Sequence, residues 1–112
     1  MFTKGLQACV TNNLEACLGI WYAGYPKLAA EMNAKVSAAT KNLGNVIDTE
    51  VVATQTISKR VTRYYAAIYF ARRPLWIRIE RYTSGEGSFY LPLKYSFEPD
   101  EILPGYLTDF VQ

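Results

Sequence analysis

The sequence predicts an α+β fold: two N-terminal helices packed on a strongly curved, four-stranded antiparallel sheet. Three observations predict it. Up to Leu43 the apolar residues recur at steps of three and four, the helical period. From Asn45 to Phe97, β-branched and aromatic residues dominate, and Ser58-Lys59-Arg60, Arg73-Pro74 and Gly85-Glu86-Gly87 cut the stretch into strand lengths. The two kinds of segment are segregated along the chain rather than interleaved, which is the α+β order, and uninterrupted strands favour a meander of hairpins.

In the first predicted helix, residues 3–22, Leu6, Val10, Leu14, Leu18 and Trp21 form one apolar face, with Cys9 and Cys17 on the same side. Thr11-Asn12-Asn13 is its one weak point and could cap a second helix beginning near Leu14. Ala23-Gly24-Tyr25-Pro26 breaks the pattern, and Pro26 suits the first position of a new helix. That helix runs from Lys27 to Leu43 on the stripe Leu28, Met32, Val36, Ala39 and Leu43, with Gly44 placed for a left-handed C-terminal cap. Each stripe needs a broad surface to cover it, and a sheet curved over the helices supplies one.

The strands are predicted at 45–57, 61–72, 75–82 and 88–97. The third alternates cleanly: Leu75, Ile77 and Ile79 on one face, Trp76, Arg78, Glu80 and Tyr82 on the other. Pro92 inside the fourth implies an edge position or a bulge. The acidic tail from Glu98 carries Ile102, Leu103, Tyr106, Leu107 and Phe110, enough apolar surface to dock.

A chain of 112 residues, half of them apolar and 14% aromatic, can bury a core as a single domain. A net charge of +2 does not call for a polyanionic partner, and no apolar run approaches the roughly 20 residues of a bilayer span. The opening Met1-Phe2-Thr3-Lys4-Gly5 lacks a basic and then apolar leader pattern, so the chain reads as cytoplasmic. Cys9 and Cys17 would lie about 12 Å apart on one continuous helix, beyond the roughly 4.4–6.8 Å a disulfide spans. They are therefore expected as two small buried side chains, bridged only if the chain reverses near Thr11-Asn12-Asn13.

The text from Arg73-Pro74-Leu75-Trp76-Ile77-Arg78-Ile79-Glu80-Arg81-Tyr82, through a glycine hairpin, to Leu91–Phe97 and Glu98-Pro99-Asp100-Glu101 resembles small members of the NTF2-like (SnoaL-like) superfamily. The resemblance extends over residues 1–101 and rests on strand pattern, not on a catalytic signature. It implies a cone in which helices fill the concave side of the sheet, a pocket between them, and dimerisation through the sheet. Trp21, Tyr25, Met32 and Tyr95 are the residues it would assign to that pocket, with a small apolar ligand. The chain is short for the family, with little room for the extra N-terminal helix of larger members. The related cystatin shape fits less well, since its Gln-x-Val-x-Gly loop is absent.

Catalysis has little to draw on. There is no histidine, hence neither the commonest general base nor the commonest metal ligand. Two thiols alone cannot complete a zinc site, and Gly85-x-Gly87 is no phosphate cradle, so neither metal nor cofactor is expected. Asp48 and Glu50 share a strand face but read as exposed. The enzyme alternative is a tyrosine paired with a buried carboxylate in the cone, of the isomerase or hydratase kind.

Charge is more informative. Residues 59–81 carry seven basic side chains (Lys59, Arg60, Arg63, Arg72, Arg73, Arg78, Arg81) against Glu80 alone, while 98–109 carry Glu98, Asp100, Glu101 and Asp109. Tyr64, Trp76, Arg78, Glu80, Tyr82 and Tyr90 are the expected interface of a homodimer, because Trp, Tyr and Arg anchor such surfaces and a basic strand can meet an acidic tail. Single-stranded nucleic acid, or another anion, on the same arginine and aromatic face is the lesser alternative.

Overall fold

A computed structural model describes residues 2–11 and 14–107 of the chain. Asn12 and Asn13 of the expected cap, and Asp109 and Phe110 of the tail, lie outside the described residues. The architecture is α+β, with three helices where two were expected: α1 Phe2–Thr11, α2 Leu14–Trp21 and α3 Pro26–Thr40. They precede β1 Val46–Ser58, β2 Val61–Phe70, β3 Pro74–Ser84, β4 Gly87–Tyr90 and β5 Lys94–Ser96. The sheet order is β1-β2-β3-β4, with β5 also paired to β3. The residues group into two compact units, Met1–Glu50 with Ile68–Arg73, and Val51–Ala67 with Pro74–Gln112.

In the first unit, the predicted single helix is a helical hairpin. Cys9 and Cys17 are joined by a disulfide with α-carbons 5.0 Å apart, and both are buried. The expectation of two free thiols is thus corrected: α2 runs back along α1. At the far end Trp21 Nε1 donates to the Phe2 carbonyl (3.1 Å), and the two rings stack at 5.2 Å and 11°. Gly5 lies under the indole, where a Cβ would collide with the ring. Helix α3 opens with Pro26 at its first turn and buries Met32, Val36 and Thr40. Ala39, expected on the stripe, is exposed. Thr40 takes the position one turn after Val36, satisfying its hydroxyl on the Val36 carbonyl at 2.8 Å.

The helix ends before Gly44, which adopts φ +84 in the link to β1. That link is tied to the β2–β3 turn by Ala71 N–H to Asn45 O, Arg72 N–H to Leu43 O (both 3.0 Å) and Arg72 Nη1 to Asn42 O (2.9 Å). A Cβ on Gly44 would lie 2.9 Å from that of Ala71, so both the backbone angle and the space demand glycine.

In the second unit, the strand expected at 88–97 is two. β4 pairs the C-terminal part of β3 (Arg81↔Tyr90 to Ser84↔Gly87), and β5 pairs its N-terminal part (Trp76↔Ser96 to Arg78↔Lys94). Leu91 N–H still bonds the Glu80 carbonyl at 2.9 Å, but Pro92 has no N–H to give and the ladder lapses until Lys94. Buried Leu93 occupies the gap. The tail docks through Ile102, 4% exposed, after a short 3₁₀ turn at Pro99–Glu101.

Candidate functional site

Strand β3 divides its side chains as the alternation predicts. Leu75, Ile77 and Ile79 are at most 1% exposed, whereas Trp76, Arg78 and Glu80 are half-buried and Tyr82 is exposed. Cross-strand partners share a face, so the register extends each set. Phe89 joins Tyr82, while Lys94 and Ser96 join Arg78 and Trp76. Tyr95 stands opposite Ile77, and Tyr90 opposite Arg81, on the inner face.

The six expected interface residues therefore do not form one surface. Trp76, Arg78, Glu80 and Tyr82 lie together, but Tyr64 and Tyr90 sit on the opposite face around Arg81. The Arg81 guanidinium lies 5.6 Å from the Tyr64 ring centroid, and Tyr90 is its cross-strand partner. The register decides this: Tyr90 pairs with Arg81 and Phe89 with Tyr82, and a difference of one residue changes the face.

On the outer face, Glu80 is already engaged. Arg63 Nε and Nη2 both donate to Glu80 Oε2, at 2.8 and 2.6 Å, and Arg63 Nη1 reaches Tyr65 Oη at 3.4 Å. Tyr65 in turn donates to Gln55 Oε1 at 2.8 Å. Arg78 and Lys94, directly opposite one another, make no such bond among the described residues. Like charges in that position repel, leaving a cationic spot beside Trp76. In the acidic segment, Glu101 Oε1 accepts from Ser96 Oγ at 2.6 Å, while Asp100 is exposed.

Of the four residues expected to line a pocket, three lie in the first unit and one in the second. Trp21 is used within the α1–α2 hairpin, Met32 is buried in α3, and Tyr25 is 48% exposed where α3 begins, while Tyr95 belongs to the other unit. A shallow cleft of about 320 Å³ does lie between α2 and α3, lined by Glu15, Gly19, Tyr22, Gly24, Pro26 and Asn33 among others, and none of the four lines it.

A tyrosine–carboxylate pair exists, in the first unit: Tyr69 Oη donates to Glu50 Oε1 at 2.6 Å. That bond first, then burial and the charges of Glu50 and Asp48, pushes the Tyr69 hydroxyl up to about 12. Both carboxylates are exposed, as the sequence implied. A phenol held this firmly to a solvated carboxylate is a poor proton donor at neutral pH. Among the described residues, no three His, Cys, Asp or Glu side chains gather to hold a metal, and no helix is long and apolar enough to cross a membrane.

No protein-family model matches the chain, and neither a curated protein nor a solved structure is significantly similar to it.

Proposed function

We propose that the protein is an NTF2-like binding module that self-associates through the outer face of its second unit. The observation that carries this reading is the composition of that face: Trp76, Arg78, Tyr82 and Phe89 gathered by register, with Tyr82 39% exposed. Aromatic and arginine side chains are the usual anchors of protein interfaces, and an exposed aromatic patch is costly on a monomer. Because the Arg63–Glu80 pair is internally satisfied, the charges left for a partner are Arg78 and Lys94. Across a two-fold axis, the exposed Asp100 of a second copy supplies the complementary sign.

The buried Cys9–Cys17 bridge favours an oxidising compartment, in place of the cytoplasmic location expected from the N-terminal residues. A binding role fits better than catalysis, because the Tyr69–Glu50 pair is exposed and tightly bonded.

Light scattering at tens of micromolar tests self-association. The expected result is twice the 12.7 kDa chain mass, falling toward one chain in Trp76→Ala/Tyr82→Ala and at high salt. A monomeric wild-type mass at that concentration overturns the proposal.

A further inference from the structure

The opposite face of the same strands carries a second feature that self-association does not use. Arg81 is half-buried beside two tyrosines: its guanidinium lies over the Tyr64 ring, 5.6 Å from the centroid, and Tyr90 is set opposite it on β4. Its Nε is sealed from water and has no hydrogen-bond partner. No carboxylate pairs with it among the described residues; the neighbouring Glu80 points to the other face and is held by Arg63. A partly desolvated cation without a counter-ion, and with a donor unmet, is costly to maintain. Such a cost is relieved by an anion.

We propose that Arg81, Tyr64 and Tyr90 form a binding site for the carboxylate of a small aromatic or apolar acid. A guanidinium offers a planar fork matched to the two oxygens of a carboxylate. The Tyr64 ring and the Tyr90 phenol flank that fork with flat apolar surface, suited to the body of the acid. Arg60, opposite Thr83 at the end of this face, has its Nη1 on the Thr83 carbonyl at 3.3 Å, so the one guanidinium fork offered here is that of Arg81, which matches a monoanion rather than a phosphate dianion. All three residues retain some exposure, so the site is not closed off. Seating the acid on the inner Nε edge requires the guanidinium to turn out from its present position.

The test uses the full chain and benzoate as the probe, with binding read by ligand-observed saturation-transfer NMR. The expected result is saturable binding, weakened about tenfold or more in Arg81→Lys, which keeps the charge but loses the fork. Tyr64→Leu, which removes the stacked ring, is expected to weaken it too, while Lys27→Gln, which removes an exposed charge elsewhere, leaves it unchanged. Circular dichroism verifies that each variant is folded. Absence of saturable binding, binding retained in folded Arg81→Lys, or displacement of benzoate by inorganic phosphate at equal concentration each overturns the proposal. None of these outcomes depends on whether the chain dimerises through its other face.

Discussion

Tyr69 titrates late because its proton is already committed. The hydroxyl is bonded to Glu50, and losing the proton would set two anions side by side, so its value rises from 10.0 to about 12. A folded-state value above the unfolded one means the native chain keeps a proton that the unfolded chain has lost. The contribution is complete below pH 10 and fades as pH climbs from there toward 12. Glu50→Gln should return Tyr69 toward the ordinary range, with its ring Cζ resonance moving at lower pH; an unchanged midpoint would show that the bond is not the cause. The sequence offered both partners, a strand carboxylate and one of nine tyrosines, but not their pairing, which rests on how β1 and β2 meet. The Arg81 cluster was less accessible. It depends on the register of β4 against β3, and the sequence leaves that open by one residue around Gly85-Glu86-Gly87. A one-residue difference moves Tyr90 from the Trp76 face to the Arg81 face.

Among the elements, the α1–α2 hairpin is the one most dependent on a few contacts. Its apolar steps continue smoothly from Leu6 to Trp21, so periodicity alone describes one helix; the reversal shows only in the disulfide and in Trp21 lying back over Gly5. Closing so short a loop stabilises by about 2.5 kcal/mol on the chain-entropy account. Cys9→Ala/Cys17→Ala should therefore lower Tm by about 10 °C for a chain of this length, with no shift if the bridge is dispensable. Gly5→Ala offers a separate test. Alanine favours helix by about 1 kcal/mol over glycine, but overpacking against a buried indole costs about 1–3 kcal/mol. The net expectation is destabilisation, read as a lower denaturant midpoint. A stabilised variant would mean that Trp21 does not lie where the Phe2 carbonyl and ring hold it. The strand elements were more legible. Their number was missed by one because Pro92 interrupts the fourth, an interruption the sequence announced without saying that both pieces would stay on the same edge of β3.

For the whole molecule, β3 is the organising strand. It is paired by β2 on one edge and by β4 and β5 on the other, and its alternation presents an outer aromatic–cationic face and an inner apolar face ending at Arg81. The α+β class and this division could be read from composition and period two, because both follow from local patterning. The tertiary choices could not: which tyrosine joins which arginine, and whether Glu80 is free, are decided by cross-strand pairing.

The most direct measurement of the central claim is acrylamide quenching of tryptophan fluorescence across protein concentration. The chain has two tryptophans, and Trp21 is only 4% exposed, so a change reports Trp76. If the outer face of β3 is the self-association surface, the quenching constant falls as concentration rises from nanomolar to tens of micromolar, in step with the rise in mass. A mass that doubles while Trp76 stays equally accessible would place the interface elsewhere and contradict the account.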